Sequence, residues 1–575
     1  MGQPNSSGQS TKIAKDVPSS SSRINDLKKN ITAAKLVAQL VRTTLGPRGM
    51  AKLVMDNLGN TTITNDGATI LDKVDVQHPA AKAMVEVAKA VDKEVGDGTT
   101  TAVILAGALL EKAEELLDKK VHPNTIINGY REAERKAQEA LKTMSIKINP
   151  KDKNWLLKVA RTTLTKKVVP VYLDFLASLV VDSLLMVTTT SGDKLKVDID
   201  DVRIVKKAGG SIENSQLIKG IILDKEISYY GMPKSIVDAK IALIWDHIDM
   251  KKTDLKYKYE INIDSPDSLR KYREEKEEVL KNMVEKVAKT GANVVFCKKP
   301  IDDIAQYYFA KAGIIAIQNL YPEDMLILEK ATGAKIIKIL DKLTPDHLGH
   351  AEMVEERKIW EGYPGEIFVE GYDNARGVTL LIRGGTQKLV EETERSIHDA
   401  LCAVKGAMTK PIVVLGGGSL EIEIALNLFN YARTFHGKKQ LAVQKFAEAL
   451  ETIPLTLAKN SGMDPTNALL ELVTRHRKGE KNVGINALER KIEDTTKLEI
   501  YEPLVVKEEI FSIAVKATEM ILKIDEDILA HRKPKPYRPP ASTPQQVFSH
   551  IKRTYNKYES QFDTAEYPDI NLNIA

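Results

Sequence analysis

The stretch that most constrains the fold of this chain is residues 96–101, Gly-Asp-Gly-Thr-Thr-Thr, which runs directly into the apolar segment 102–110. Glycines adopt backbone angles that a side chain forbids, and threonines at a helix start can supply N-cap oxygens. The first N–H groups of a helix have no partner within the helix, and with the positive end of the helix dipole they attract phosphate. The pattern therefore predicts either a phosphate-binding turn or an ordinary turn that caps a buried helix.

Asp97 decides how a phosphate site here would have to work. A carboxylate repels phosphate, but a hard cation between the two removes the conflict, because Mg²⁺ usually takes one or two carboxylates together with phosphate oxygens. We therefore interpret this stretch as a Mg²⁺–nucleotide site in which Asp97 is the metal ligand. The phosphate-binding residues are then Gly98, Thr99, Thr100 and Thr101.

Length and charge narrow the class of protein. A chain of 575 residues is too long for one hydrophobic core, so several domains are expected. Its 84 basic and 79 acidic residues nearly balance, at a net charge of +5. A nucleic-acid-binding protein would concentrate basic charge on one face, so we expect no nucleic acid as a partner.

The cysteines and the N-terminus bear on the compartment. Cys297 and Cys402 each lie in an apolar segment, where small buried hydrophobic side chains are expected, and a reducing cytoplasm fits better than a disulfide framework. We expect no apolar run to reach the roughly 18 residues of a membrane-spanning helix, and so we expect no membrane partner. Residues 1–23 are polar and serine-rich, which predicts a disordered tail rather than a signal peptide.

Periodicity predicts mostly helices at both ends of the chain and an α/β region between them. Helices are predicted at 24–45, 79–94, 102–119, 124–144, 156–164, 171–185, 420–431, 441–450, 465–475 and 508–529. Strands 52–55 and 61–64 are predicted to form a hairpin, and short apolar strands are predicted at 241–245, 294–297 and 314–317.

Several uncommon strings accompany the 96–101 stretch in a fixed order. They are Thr-Thr-Leu-Gly-Pro-Arg-Gly-Met at 43–50, Ile-Thr-Asn-Asp-Gly-Ala-Thr-Ile at 63–70, Gly-Met-Pro-Lys at 231–234, Gly-Ala-Asn-Val-Val-Phe-Cys at 291–297, Arg-Gly-Gly-Thr at 383–386, Val-Val-Leu-Gly-Gly-Gly-Ser at 413–419 and Tyr-Glu-Pro at 501–503. In this order the segments resemble the group II chaperonins, the family of the archaeal thermosome and the eukaryotic cytosolic chaperonin TRiC. The resemblance runs from about residue 24 to about residue 533 and favours a thermosome-like subunit.

This resemblance implies a multidomain α + α/β chaperonin fold. The mainly helical equatorial ATP-binding domain would comprise residues 24–150 and 411–533, and the α/β intermediate domain residues 151–220 and 378–410. The α/β apical substrate-binding domain would comprise residues 221–377, with a helical protrusion at about 246–281 that forms a built-in lid. A C-terminal extension would follow at 534–575. The equatorial and intermediate domains are discontinuous, because the phosphate-binding segments must meet Gly417.

The resemblance also implies roles for single residues. It assigns nucleotide binding to Leu45, Gly46, Pro47, Lys167, Gly417, Asn486 and Glu502. Lys167 would sense the terminal phosphate, although two adjacent lysines are also typical of a solvated surface. Asn486 and Glu502 would contact the base and the ribose.

Two aspartates are the expected catalytic residues. Helical spacing places Asp399 roughly opposite the apolar Ile397, which predicts a solvated surface acid. The resemblance instead implies that Asp399 and Asp66 orient and deprotonate the water that attacks the γ-phosphate.

The expected function is ATP-dependent protein folding with ATP and Mg²⁺ as cofactors. Hydrolysis would close the lid over a non-native polypeptide in two stacked rings of about eight subunits each, homo- or hetero-oligomeric. The main alternative is a hydrolysis-deficient ring scaffold or client adaptor of the same family. Asp66, Asp97 and Asp399 are all present, which favours the active enzyme, and the absence of a Walker A pattern disfavours a P-loop ATPase.

Overall fold

The computed structural model describes residues 20–55, 59, 61–165, 167, 170–191, 194–249, 266–358, 365–371 and 377–524, all within the compact unit Met1–Asp525. The C-terminal extension at 534–575 and residues 250–265 of the predicted lid lie outside the described residues. The disordered tail predicted for 1–23 is wrong for its last four residues, because the first helix begins at Ser20. The rest of that tail lies outside the described residues.

Helices dominate the described residues. They are α1 (Ser20–Arg42), α2 (Gly67–Lys73), α3 (Pro79–Val95), α4 (Thr99–Asp118), α5 (Pro123–Thr143), α6 (Lys153–Leu164), α7 (Leu173–Val187), α8 (Pro266–Lys289), α9 (Asp303–Lys311), α10 (Pro322–Thr332), α11 (Gln387–Thr409), α12 (Ser419–Ala432), α13 (Lys438–Leu450), α14 (Thr452–Ser461), α15 (Pro465–Arg477) and α16 (Leu504–Leu522).

The strands are mostly short. They are β1 (Lys52–Met55), β2 (Thr61–Thr64), β3 (Ile146–Lys147), β4 (Thr189–Ser191), β5 (Lys194–Lys196), β6 (Val202–Ala208), β7 (Gln216–Ile218), β8 (Gly220–Leu223), β9 (Ser235–Ile244), β10 (Val294–Cys297), β11 (Ile315–Ile317), β12 (Ile336–Ile337), β13 (Gly349–Arg357), β14 (Glu366–Glu370), β15 (Val378–Gly384), β16 (Ile412–Leu415), β17 (Val483–Asn486), β18 (Lys491–Asp494) and β19 (Tyr501–Pro503).

The largest hydrophobic core joins helices from both ends of the chain. Helices α1, α3, α4 and α5 pack with α12, α13 and α16 around it. The first half of α4 is apolar on all sides and buried on all sides, as expected of a core helix. The N-terminus of α4 is therefore held by packing on every side. The domain bounds given above stay a prediction.

A second core lies between α6, α7, α11 and a three-stranded sheet. The strand order is β6-β15-β7, with β15 parallel to β6 and antiparallel to β7. Helix α11 packs on α6 and also reaches α3. This packing brings α11 next to the elements that carry the predicted phosphate site.

The middle part of the sequence forms a seven-stranded mixed sheet. Its order is β11-β10-β9-β13-β14-β8, and β12 also pairs with β9. Alternate residues of the strands point to opposite faces, so one face packs on α10 and the other on α8 and α9.

The predicted elements agree with the structure best where the pattern is short and strongly apolar. The strands at 52–55, 61–64 and 294–297 are confirmed residue for residue. The helix predicted at 508–529 is wrong at both ends, because α16 starts directly after Pro503 and ends at Leu522. The helix predicted at 171–185 is wrong at both ends, because α7 begins at Leu173, after the 3₁₀ turn Pro170–Tyr172, and ends at Val187.

Within the described residues, the segment Pro170–Val187 is long and apolar enough to cross a membrane by length and composition alone, with a mean hydropathy of 1.7. The expectation that no run reaches this length is therefore wrong. A single segment of this kind is weak evidence, because core helices meet the same criterion. Its α7 part buries Leu176, Val180 and Leu184 in the second core.

Close packing of α1 on α4 predicts the effect of one added methyl group. A Cβ on Gly107 would lie 2.4 Å from the Cβ of Ala38. Alanine gains about 1 kcal/mol over glycine in helix propensity, but overpacking typically costs about 1–3 kcal/mol. We expect Gly107→Ala to lower the free energy of unfolding in denaturant titrations, and adding Ala38→Gly to restore part of it. A more stable Gly107→Ala variant would contradict this packing.

Candidate functional site

The N-terminus of α4 has no side-chain cap. Gly98 is the N-cap residue and adopts a left-handed conformation, with φ of 82°. The prediction that threonines supply the cap is wrong, because Thr99 to Thr101 form the first helical turn instead. Their N–H groups have no partner within the helix. Glycine is required at 98 for a second reason as well: a Cβ there would lie 2.6 Å from Cδ1 of Ile510.

The hydroxyl of Thr100 lies beside this helix start. Thr100 is 1% exposed, and its Oγ1 has no hydrogen-bond partner among the described residues. The oxygen faces Gly67, where an added Cβ would lie 2.7 Å away. A buried hydroxyl without a partner is costly, so a hydrogen bond to this atom would be favourable.

Asp66 joins the starts of α2 and α4. Its Oδ2 accepts a hydrogen bond of 2.8 Å from the Thr69 N–H and so caps α2. Its Oδ1 accepts a longer one, 3.4 Å, from the Thr99 hydroxyl. The two sequence strings at 63–70 and 96–101 are therefore adjacent in space, as the nucleotide-site prediction requires.

Lys167 is a buried cation between two carboxylates. Its side chain is 3% exposed, its Nζ forms an ion pair with Asp399, and it lies 3.9 Å from Oδ1 of Asp97. Burial alone would lower the pKa of Lys167, but the charges of Asp399, Asp97 and Asp66 raise it above the ordinary value. Lys167 is thus charged at neutral pH. Because its side chain is buried, the alternative of a solvated surface lysine is wrong.

Asp399 is buried, so the solvated surface acid predicted from helical spacing is wrong. Its carboxylate pairs with the buried Lys167, which lies after α6. The neighbouring His398 is exposed, and hydrogen bonding to Asp399 and Cys402 raises its pKa above the usual range.

The two cysteines differ in burial. Cys297 is buried, as predicted, whereas Cys402 is half-buried and packs against the Gly96 turn.

Asp92 belongs to the same acidic cluster, although sequence reasoning did not identify it. Loss of hydration and the charges of Asp66 and Asp399 raise the pKa of Asp92 to about 6. Its backbone carbonyl accepts the N–H of Gly96 at 2.9 Å, in the left-handed turn that ends α3. The available signal was its place in the last helical turn before Gly96 and Asp97.

A second glycine turn leads into α12. Gly417 and Gly418 are left-handed, with φ of 69° and 80°, and Gly418 caps α12 without any side-chain hydrogen bond. The Gly417 carbonyl accepts the Ile485 N–H at 2.8 Å, which places this turn beside β17.

Glu502 lies next to this turn on β19, which pairs with β16. Lys507 donates to Glu502 at 2.9 Å and to the fully buried Glu421 at 2.8 Å. Burial raises the pKa of Glu502, and Lys507 opposes that shift. Lys507 therefore fixes the position of the Glu502 carboxylate.

The next predicted nucleotide-binding residues are Asn486, at the end of β17, and the turn formed by Leu45, Gly46 and Pro47. The Asn486 amide is bonded at both ends, donating to Glu493 at 2.8 Å and accepting the Glu489 N–H at 3.1 Å. The Leu45 carbonyl accepts a 2.9 Å hydrogen bond from Asn460 of α14, and Arg48 donates to the Leu488 carbonyl at 2.8 Å.

The structure therefore brings some of the predicted site residues together and leaves others apart. Asp66, Asp97, Thr99, Thr100, Lys167 and Asp399 form one cluster, and Gly417 and Glu502 lie around the second glycine turn. The Leu45–Pro47 turn is hydrogen-bonded to α14, and the next residue, Arg48, to the turn between β17 and β18. No group of three or more His, Cys, Asp or Glu residues within the described part of the chain could hold a metal ion. A metal ion at Asp97 would therefore take its other ligands from water or from phosphate oxygens.

Comparison with known proteins gives a consistent result. Residues 37–532 match the TCP-1/cpn60 chaperonin family. A thermosome subunit of Pyrococcus horikoshii is 48% identical over 508 residues, which cover 88% of this chain and 91% of the relative. A thermosome subunit beta of Thermococcus kodakarensis is 47% identical over 508 residues, covering 88% and 92%. A thermosome subunit alpha of Archaeoglobus fulgidus is 47% identical over 501 residues, covering 87% and 91%.

These matches cover nearly all of the region in which the sequence strings occur, and the mixture of helical and sheet-based parts fits a multidomain α/β chaperonin fold. The chain therefore belongs to the TCP-1/cpn60 chaperonin family, as a thermosome-like group II subunit that serves protein folding.

Proposed function

We propose that this chain is a Mg²⁺-dependent ATPase whose ATP hydrolysis drives the folding of client proteins. The single observation that carries the proposal is the unpartnered, buried Thr100 hydroxyl at an uncapped helix start, beside a buried lysine and three carboxylates. A triphosphate with its metal ion needs this combination of hydroxyl, N–H groups, cation and carboxylate.

The start of α4 binds phosphate in this proposal. The N–H groups of Thr99, Thr100 and Thr101 and the Thr100 hydroxyl donate to phosphate oxygens. Asp97 would hold the Mg²⁺, and the ion would supply neutralisation of phosphate charge. Asp97 is suited to this role because its carboxylate remains 22% exposed while its Oδ1 is oriented by the Gly98 N–H at 2.8 Å.

Lys167 and the two catalytic acids act on the terminal phosphate. Without nucleotide, Lys167 is neutralised by Asp399 and Asp97. A γ-phosphate competes for the same ammonium group, and the Asp399 carboxylate that it releases can then accept a proton from water. Asp66 orients the water, since its 3.4 Å hydrogen bond from Thr99 is long enough for a closer donor to replace.

The second glycine turn binds the nucleoside end. Gly417 lets the backbone approach the ligand closely, and Glu502, held by Lys507, accepts hydrogen bonds from ribose hydroxyls. Because both ends of the Asn486 amide are already bonded, we expect Asn486 to shape the base pocket together with Leu45, Gly46 and Pro47 rather than to form a new hydrogen bond.

Ring assembly and client binding complete the proposal. The relatives are named as subunits, and the β1–β2 hairpin exposes Leu53, Met55 and Ile63 at 67%, 68% and 53%, an apolar face suited to contact with a neighbouring subunit. Rings of about eight, homo- or hetero-oligomeric, in the cytoplasm fit the resemblance. Lid closure over the client would involve residues outside those described.

An aromatic patch in the central α/β region suits a non-native client. Its members are Tyr229, Tyr230, Tyr307 and Tyr308. Tyr230 is 90% exposed and Tyr307 is 49% exposed, and the two pairs lie close enough for Tyr307 to interact with Tyr229. Exposed tyrosines bind apolar segments at low entropic cost, so an unfolded chain is a suitable partner.

Replacing the catalytic acids tests hydrolysis. We expect Asp399→Asn and Asp66→Asn each to lower the ATP turnover number about 100-fold or more, since general-base catalysis contributes about 10²–10⁴-fold. Steady-state hydrolysis is measured together with particle size by light scattering. The matched control is Asp174→Asn, an acid on α7 that is 75% exposed. An inactive wild type in intact rings would favour the scaffold alternative, and an active Asp399→Asn variant would place the base elsewhere.

Replacing Asp97 tests the metal role. We expect Asp97→Asn to raise the Mg²⁺ concentration needed for half-maximal ATP binding about tenfold or more, in line with the cost of losing a metal-site group. Calorimetric titration of ATP at several Mg²⁺ concentrations measures this, with the exposed Asp118→Asn as control. An unchanged Mg²⁺ requirement would contradict the assignment of Asp97 as the ligand.

The raised pKa of Asp92 predicts a pH-dependent stability. Its pKa is about 6 in the folded chain against an ordinary 3.8, so the folded state holds the proton more tightly. The charged carboxylate therefore costs stability above pH 6, and that cost disappears as the pH falls toward 3.8. We expect Asp92→Asn to raise the melting temperature of the nucleotide-free protein at pH 8 and to lose this advantage near pH 4. Equal melting temperatures at pH 8 would argue against a tight acidic cluster.

A further inference from the structure

A carboxylate of helix α11, that of Glu392, contacts the loop that carries Asp66. Oε1 of Glu392 accepts a hydrogen bond of 3.2 Å from the Thr64 hydroxyl and one of 3.4 Å from the Asn65 N–H. Its other oxygen, Oε2, accepts two hydrogen bonds from Arg395, at 2.6 and 3.0 Å. Both oxygens of Glu392 are thus fixed, one toward the loop and one toward its own helix.

The contact continues from Glu392 to Asp66. The Thr64 oxygen that donates to Glu392 also accepts the Asp66 N–H at 3.1 Å. Thr64 is 1% exposed and the Glu392 side chain is 20% exposed, so this path is largely shielded from water. A hydrogen bond to an ionised, partly buried carboxylate is stronger than a neutral one, which makes the path stiff.

The spacing of Glu392 and Asp399 gives the contact a functional meaning. The two residues are seven positions apart, which is nearly two helical turns, about 10 Å along the axis and on the same side of the helix. One face of α11 therefore carries Asp399 and, two turns earlier, holds the loop of Asp66. A rigid helix between them fixes the separation of the two acids.

We propose that Glu392 is a positioning residue that ties the Asp66 loop to α11, so that Asp66 and Asp399 approach the terminal phosphate in a fixed relation. This inference rests on the proposed ATPase function of the same site. Glu392 itself touches neither nucleotide nor water in this scheme. Catalysis depends on such positioning, because a displacement of about 1 Å can cost about 100-fold in rate.

The first experiment measures the steady-state kinetics of ATP hydrolysis in assembled protein. We expect Glu392→Ala to lower the turnover number about tenfold or more and to leave the KM for ATP within about twofold, because Glu392 lies away from the phosphate-binding start of α4. Glu392→Gln should recover part of the rate, since its amide oxygen still accepts from Thr64 and Asn65 although its amide nitrogen cannot accept from Arg395. The matched control is Glu391→Ala, whose described hydrogen bond is to Gln387 of its own helix.

A double substitution distinguishes positioning from general stabilisation. Thr64→Val removes the hydroxyl but keeps the shape, and we expect it to lower the turnover number in the same way. The double variant Glu392→Ala with Thr64→Val should be no slower than the slower of the two single variants, because both changes break one path and Thr64→Val also removes the acceptor of the Asp66 N–H. Additive losses, or equal losses in Glu392→Ala and Glu391→Ala, would overturn the proposal.

Hydrogen exchange of the nucleotide-free protein tests the same contact without turnover. We expect amides 64–70 to exchange about tenfold faster in Glu392→Ala than in the wild type, and at the wild-type rate in Glu391→Ala. If the wild type hydrolyses ATP, an unchanged turnover number in Glu392→Ala overturns the positioning role. If the wild type does not hydrolyse ATP, the proposed function fails, and unchanged exchange in Glu392→Ala then overturns the inference as well.

Discussion

The buried ammonium group of Lys167 is the interaction on which the candidate site depends. It joins three parts of the chain that are far apart in sequence: the residue itself after α6, Asp399 on α11 and Asp97 in the turn before α4. A buried charge is tolerated only when it is paired, so these elements are held together by the cost of separating them. The lysine also reduces the repulsion among the acids, which already raises the pKa of Asp92.

Packing places the rest of the site around this charge. Helix α4 is buried on nearly all sides, so its N-terminus cannot shift without disturbing the largest core. Its start has no side-chain cap, and the Thr100 hydroxyl has no partner among the described residues. A rigid helix with unsatisfied groups at its start is organised for a ligand before the ligand arrives, which reduces the cost of binding.

Much of the local structure was predictable from sequence, because local patterns decide it. Apolar runs such as 294–297 gave strands at the same residues, and glycine pairs at 96–98 and 417–418 gave left-handed turns. Errors arose where contacts between elements decide the outcome. Asp399 is on the polar side of α11 by spacing, yet it is buried and paired with Lys167. The local signal of Asp92 is only its place before Gly96 and Asp97, and Glu392 carries none. The surroundings of the two residues come from Asp66 and Thr64, which are remote in the sequence.

The sequence by itself determined the family, the places of the glycine turns and the residue types needed for a Mg²⁺–phosphate site, because these follow from local backbone freedom and from the order of the motifs. Only the tertiary structure decided the partners of those residues. The buried pairing of Lys167 with Asp399 and the link from Glu392 to Asp66 are both contacts between distant segments. Burial and electrostatic pairing depend on which segments meet in space, and helical or strand periodicity contains no information about that.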